Sequence, residues 1–292
     1  MILSKDILKK IRRIQIQTKR TADDILAGAY HSAFKGSGVE FEDVREYELG
    51  DEIRSIDWNV TAKMRRPYIK NFREERELTV MLVVDVSASL HFGSRESFKR
   101  DRITEISALL AFSAMKNQDK VGLILFTDQV ECYLSPKKGI GQILRIIREI
   151  LLFQPKHRRT DVKEALNFLC KIQKRRGVCF VLSDFLFTDY FQLFSLLAKR
   201  HDLTSLYITD PGEEHLPNMG LVHFSDLETD KTLLVDTSIP EVRVQFFKRA
   251  QERRKDHEKL MKKVNGGCIC IRTNEPYSKV IQQYFHLRKR RR

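Results

Sequence analysis

The sequence predicts an α/β protein with a doubly wound, mostly parallel sheet and helices on both of its faces. Continuous apolar runs at residues 78–84, 121–126 and 178–182 are typical of strands that are buried on both faces. Segments with apolar residues at helical spacing separate these runs, as around Ile103 and Ile106. This alternation of strand and helix favours parallel strands that are joined by crossover helices.

Three stretches of different character divide the 292 residues. Residues 1–27 place apolar side chains such as Ile16 among many basic residues and predict an amphipathic N-terminal helix. Residues 28–77 are interrupted by glycines and predict a small β/loop module. Residues 78–292 predict the main domain, with a β-hairpin inserted at about 211–240.

The alternation continues through the main domain after its first strand. Helical periodicity predicts helices at about 94–117, 140–152, 162–175, 190–199, 242–264 and 277–287. Short apolar or alternating runs predict further strands at about 121–126, 130–134, 178–182, 203–208 and 268–271. Two alternating stretches at 221–224 and 232–235, separated by polar turn residues, predict the hairpin.

The chain carries a formal net charge of +14, which is compatible with nucleic-acid binding. Much of the basic excess lies in residues 9–13 and 288–292, and no motif that reads bases accompanies it. We therefore keep direct nucleic-acid binding as an alternative, beside contact with an acidic protein or a membrane surface. No apolar run is long enough for a membrane span and no secretory signal is evident, so a cytoplasmic location is expected.

Five cysteines are spread along the chain without the spacing of metal ligands. Cys268 and Cys270 alternate within a predicted strand, so their side chains are expected on one face. We interpret the cysteines as small apolar core residues in a reducing compartment, with a redox or zinc role as the alternative.

Oxygen-bearing side chains follow two of the predicted buried strands and lie in one loop between them. Asp85, Ser87 and Ser89 come directly after the first strand, Thr160 precedes a helix, and Asp184 ends the strand at 178–182. In an open α/β sheet, ligands bind at the carboxyl ends of the strands. Hard oxygen donors suit Mg²⁺ or Mn²⁺, so these five residues are the candidate metal ligands.

The order Asp85-Val86-Ser87-Ala88-Ser89, then Thr160, then Asp184 resembles the metal-ion-dependent adhesion site of von Willebrand factor A domains. The resemblance implies a von Willebrand factor A-like fold for the main domain. It also implies that the two serines and the threonine coordinate the metal, and that the aspartates act directly or through water. One coordination position is then open for a carboxylate of a partner protein.

The flanking sequence is similar to the bacterial domain-of-unknown-function family 58, and the similarity runs from about residue 20 to the end. The similar stretches are 38–47, 50–58, 61–63, 72–77, 210–211, 216–217, 228–229 and 235–237. Members of this family are commonly encoded beside a MoxR-type AAA+ ATPase. The resemblance therefore implies a partner or adaptor of such an ATPase in protein remodelling or maturation.

One departure from the family pattern concerns the residues before Thr160. Small glycines are usual there, whereas this chain has Arg158 and Arg159. Two cations near a metal would weaken its binding by repulsion, or would attract an acidic partner group. We expect Arg158, Arg159 and Ala88 to form the rim of the partner-binding site, with either effect of the arginines open.

Motifs of common enzyme classes are absent from the sequence: it has no P-loop, no nucleophile elbow and no zinc-protease helix. We therefore expect a binding module and not an enzyme. A metal-dependent phosphoesterase is the alternative, since a bound metal can activate water. The segment around Trp58 is interpreted as a structural module in which Arg45, Arg54 and Asp57 form ion pairs around the tryptophan, with a partner-binding surface as the alternative.

Overall fold

The computed structural model describes residues 5–22, 30, 33–34, 40–73, 77–94 and 98–291. The described chain falls into two compact units. The main unit contains the described residues up to 33 and those from Leu78 onward, and the small unit contains those between Phe34 and Glu77. The predicted domain boundaries at 27 and 77 stay predictions.

Nine helices and ten strands make up these described residues. The helices are α1 (Lys5–Thr21), α2 (Trp58–Met64), α3 (Lys99–Lys116), α4 (Ile140–Leu152), α5 (Val162–Ile172), α6 (Phe191–Arg200), α7 (Pro211–Glu214), α8 (Pro240–Lys263) and α9 (Tyr277–Arg291). The strands are β1 (Glu40–Glu46), β2 (Tyr68–Arg73), β3 (Thr79–Asp85), β4 (Lys120–Phe126), β5 (Val130–Lys137), β6 (Val178–Ser183), β7 (Asp202–Thr209), β8 (Leu221–Ser225), β9 (Thr232–Asp236) and β10 (Gly267–Arg272).

Six strands form the central sheet of the main unit, in the order β10-β7-β6-β3-β4-β5. All neighbours are parallel except the edge pair β4–β5, which is antiparallel. Numbered by their position along the chain, the sheet strands follow the order 6-5-4-1-2-3, which is that of a doubly wound fold. The predicted von Willebrand factor A-like, mostly parallel architecture is confirmed, and so is the separate hairpin β8–β9.

Helices cover both faces of this sheet. On one face, Met81 and Val83 of β3 join a core cluster with Leu166 of α5, Phe194 of α6 and Met261 of α8. Side chains alternate along a strand, so Val80, Leu82 and Val84 face the opposite side, where α3 packs against α1 and α4. All five of these β3 side chains are fully buried. Burial on both faces explains why β3 has a continuous apolar sequence.

The amphipathic N-terminal helix is present as α1 and packs on α3 and α4. Its buried side includes Ile14, Thr18 and Ala22, whereas the basic residues from Lys9 to Arg13 lie toward solvent. The sequence pattern placed Ile16 among the apolar positions of the packed face. This assignment is wrong, because Ile16 lies on the opposite side of the helix and is 61% exposed.

The small unit pairs β1 with β2 in an antiparallel ladder and contains the short helix α2, which the sequence analysis did not predict. Asp57 begins this helix by accepting hydrogen bonds from the amides of Asn59 and Val60. The predicted enclosure of Trp58 is wrong, because the first turn of α2 holds this side chain 68% exposed. Arg45 pairs with Asp51 instead of with a neighbour of the tryptophan.

Five free cysteines are present, and Cys179 is buried in the core. Cys268 and Cys270 lie on the same face of β10, with their sulfur atoms 3.9 Å apart. Both pack against the core cluster, in agreement with their interpretation as apolar core residues.

A pair of glycines tests the close packing around the sheet. In Gly177→Ala we expect the free energy of unfolding to fall by about 1–3 kcal/mol. The added methyl group would lie 2.5 Å from the backbone carbonyl oxygen of Thr79, which belongs to a central strand. The control Gly141→Ala, in α4, meets no heavy atom within 4 Å and is expected to gain about 0.5–1 kcal/mol. Urea unfolding measures both, and equal midpoints for the two variants would contradict the expectation.

Candidate metal and partner-binding site

The candidate ligands lie where β3 and β6 end. These strands are parallel, and Val84 of β3 pairs with Leu182 of β6. The register therefore places Asp85 beside Ser183, and Asp184 follows at the same edge of the sheet. The structure thus brings the two aspartates together, although 99 residues separate them along the chain.

The loop after β3 is shaped around Asp85. Its Oδ1 accepts a hydrogen bond from the Ser87 amide at 2.8 Å, and its Oδ2 accepts one from Ser183 Oγ at 2.6 Å. The hydroxyl oxygens of Ser87 and Ser89 then lie 3.1 Å apart. Adjacent oxygens in an octahedral Mg²⁺ site with bonds of about 2.1 Å are separated by about 3 Å. The two serines therefore fit neighbouring positions around one small divalent ion.

Asp184 is 2% exposed, and its two oxygens have different surroundings. Oδ2 accepts a hydrogen bond from Lys99 Nζ at 2.7 Å. Oδ1 is buried and has no hydrogen-bond partner among the described residues. Buried carboxylate oxygens are rarely left without a partner, so Oδ1 fits a position that a cation or an ordered water completes.

Lys99 is the first residue of α3 and is fully buried. Its ammonium group bridges Asp184 and Glu213, at 2.7 Å and 2.5 Å. Burial by itself lowers the pKa of Lys99, but the carboxylates of Asp184 and Glu213 outweigh it and raise the pKa above its ordinary value. The lysine therefore remains charged and holds Asp184 in place.

The charge balance at the strand ends is unfavourable for two ionised aspartates. Burial, together with the nearby Asp184 carboxylate, raises the pKa of Asp85 to about 7. Hydrogen bonds from Ser183 and Ser87 oppose this shift without cancelling it. A divalent cation would favour the ionised form of Asp85, so the site has the electrostatics of one that accepts a cation.

Thr160 approaches from the loop before α5. The amide of Ala88 donates a hydrogen bond to the Arg158 carbonyl oxygen at 3.1 Å, which joins this loop to the serine loop. Thr160 Oγ1 donates to Glu228 Oε1 at 2.5 Å. Burial raises the pKa of Glu228, and the Asp184 carboxylate adds to this shift while Thr160 opposes it. Thr160, Glu228 and Asp184 thus share one electrostatic environment.

The predicted rim residues have different roles in the structure. The Arg158 guanidinium is two-thirds exposed and pairs with Asp230 Oδ2 at 2.8 Å. Arg159 is exposed, and Ala88 is half-buried. Because Arg158 pairs with an acidic residue of the hairpin, a carboxylate offsets its charge before it can repel a metal.

Sequence reasoning missed Lys99, Ser183, Glu213 and Glu228. Ser183 immediately precedes Asp184 at the strand end, so its position could have identified it. Glu228 lies in a stretch that was noted only for its family similarity. Lys99 and Glu213 carry no local pattern, since their role depends on where α3 and α7 meet the sheet.

A cavity of about 270 Å³ adjoins the candidate site. Ser89 and Asp184 line its polar end, and Phe224 and Leu227 of the hairpin and Phe246 of α8 line its apolar part. The hairpin therefore does not pack solidly against the sheet edge next to the proposed metal position.

Other features of the described residues bear on metal and membrane binding. In this part of the chain, no group of three or more His, Cys, Asp or Glu side chains is arranged to hold a metal ion. The candidate site contains only two of these, Asp85 and Asp184, and takes its remaining donors from hydroxyl groups. None of the described helices is both long enough and apolar enough to cross a bilayer.

Comparisons with known proteins give both a family and distant structural likenesses. The uncharacterized protein Rv1480 of Mycobacterium tuberculosis is 27% identical over 284 residues, which cover 96% of this chain and 89% of the relative. The crystal structure of BatB from Bacteroides thetaiotaomicron covers 73% of this chain and 99% of its own, with 15% identity and a TM-score of 0.47. The VWA domain of SpRpn10 covers 71% and 95%, with 12% identity and a TM-score of 0.41.

The family is established by a sequence model that spans most of the chain. The model described as "Protein of unknown function DUF58" matches residues 43–256. The match includes the small unit from β1 onward, all five candidate metal ligands and the whole hairpin. The chain belongs to the DUF58 family.

Proposed function

We propose that this chain is a non-enzymatic, metal-dependent protein-interaction module. Asp85, Ser87, Ser89, Thr160 and Asp184 would hold Mg²⁺ or Mn²⁺. The observation that carries the proposal is the serine pair, with hydroxyl oxygens 3.1 Å apart, beside a buried Asp184 oxygen that has no partner. DUF58 membership and the von Willebrand factor A-like fold suggest protein interaction as the general role.

Each residue of the site has a part in holding the ion and the partner. When bound, the metal supplies an open coordination position for a carboxylate. Ser183 and the Ser87 amide orient Asp85, so its oxygens point in fixed directions. Lys99 holds one oxygen of Asp184 and leaves the other free. Pre-arranged ligands lose little conformational entropy on binding, which favours affinity for the metal.

The proposed partner is a protein that supplies an acidic side chain. The resemblance to DUF58 proteins points to a MoxR-type AAA+ ATPase or to a client of it, with this chain as the adaptor in remodelling or maturation. The exposed Arg159 at the rim supports an acidic partner, since it places a positive charge where the partner would arrive. Five free cysteines and no disulfide support a reducing, cytoplasmic setting.

Isothermal titration with Mg²⁺ and Mn²⁺, followed by capture of a MoxR-type ATPase on the immobilised chain, tests the proposal. We expect binding of both the metal and the ATPase in the wild type and loss of both in Ser87→Ala. The matched control is Ser113→Ala, a buried serine of α3 that bonds the Leu109 carbonyl oxygen away from the site. Capture that is equal in Mg²⁺ and in chelator would contradict the metal dependence.

A further inference from the structure

The turn of the β8–β9 hairpin is a well-formed acidic loop. Its ends are closed by a backbone bond from the Asp226 amide to the Lys231 carbonyl oxygen at 2.9 Å. Asp226 also accepts hydrogen bonds from the Glu228 amide and from Thr229 Oγ1, at 2.9 Å and 2.5 Å. Because Asp226 is used within the turn, the turn presents its other two carboxylates, Glu228 and Asp230, outward as a fixed pair.

Both of these carboxylates contact the candidate site. Glu228 accepts the hydrogen bond of Thr160, which is one of the proposed metal ligands. Asp230 pairs with Arg158, which belongs to the rim where an acidic partner is expected. The partner-binding position of the site is thus occupied, at two points, by acidic groups of the same chain.

The hairpin is not held firmly by the rest of its surroundings. The Arg158–Asp230 pair is 66% and 74% exposed, so water screens it and its contribution is small. The cavity of about 270 Å³ lies directly under Phe224 and Leu227. Leu221, Leu233 and Leu234 are at least half exposed on the hairpin strands. A segment with few buried contacts opens at low cost compared with the core.

We infer that the hairpin turn is a built-in acidic occupant of this site, and that the partner is an acidic segment that displaces it. A segment with two carboxylates at the spacing of Glu228 and Asp230 would take over the contacts to Thr160 and Arg158. The released hairpin would then present its exposed leucines. This inference rests on the proposed function, since it assigns both the resident and the incoming group to the same site.

A synthetic peptide that copies residues 224–232 is the probe for an acidic segment. Its affinity for the full chain is measured at saturating Mg²⁺ for the wild type and for the double variant Glu228→Gln, Asp230→Asn. An occupant that fills its own site in about nine of ten molecules lowers the apparent affinity about tenfold. We therefore expect the double variant to bind the peptide about tenfold more tightly. The control Glu241→Gln removes an exposed carboxylate at the start of α8 and is expected to match the wild type.

Hydrogen exchange of the hairpin amides gives a second readout. In the wild type, saturating peptide is expected to speed exchange at residues 226–231, because displacement frees the turn. Equal peptide affinity in the wild type and the double variant, or no binding to either, would overturn the inference. The same comparison in chelator separates the two ideas. A chain that binds no Mg²⁺ refutes the metal-dependent function, whereas a tenfold gain that persists without metal still supports the hairpin as the occupant.

Discussion

Replacing Lys99 by methionine is expected to lower the free energy of unfolding by about 3–5 kcal/mol. The ammonium group is fully buried and bridges Asp184 and Glu213, so the variant leaves two carboxylates facing each other without a cation. Methionine keeps much of the side-chain volume, which confines the change to the lost charge. Urea unfolding in chelator at neutral pH measures the loss.

The control for this prediction is Lys163→Met. That lysine is 42% exposed and lies 3.9 Å from Asp161, so its removal is expected to change the unfolding free energy by less than about 1 kcal/mol. Adding Mg²⁺ is expected to restore part of the stability of Lys99→Met, because a divalent ion can neutralise Asp184. A variant as stable as the wild type in chelator would refute the view that Lys99 holds this part of the site together.

Asp85→Asn is expected to weaken Mg²⁺ binding by about 100-fold or more, since even residues that only orient metal ligands contribute 10–100-fold. The substitution removes the charge but keeps the shape and one carbonyl oxygen for the Ser87 amide. Isothermal titration measures the affinity. Asp256→Asn, which removes an exposed carboxylate of α8, is the matched control and is expected to bind like the wild type.

A pH series in chelator shows whether Asp85→Asn is folded and tests its electrostatics independently. The pKa of Asp85 is about 7 in the folded chain and about 3.9 in the unfolded chain, so the native state binds the proton more tightly. The free energy of unfolding of the wild type therefore falls as pH rises from about 4 to 7, by at most about 4 kcal/mol from this group. We expect a smaller fall in Asp85→Asn. An equal fall in both proteins would refute the shifted pKa.

The strands of the sheet were predictable because their local sequence reflects their final environment. A strand buried on both faces needs an uninterrupted apolar run, and those of β3, β4 and β6 end within a residue or two of the expected positions. Helix ends were less certain. The predicted helix at 162–175 ends at Ile172, because the chain must turn through Gly177 before β6 begins. The periodicity of α1 located the helix but misassigned Ile16, since one apolar residue can lie on the polar side.

By itself, the sequence determined the sheet and the identity of five candidate metal ligands, Asp85, Ser87, Ser89, Thr160 and Asp184. Parallel strands bring their carboxyl ends to one edge, so residues that follow them must meet. Only the tertiary structure decided what surrounds those ligands. Lys99 and Glu228 reach the site from a distant helix and from a hairpin, and their contacts depend on how separate elements pack. No local pattern encodes that packing, because the charge pairs form only after the chain has folded.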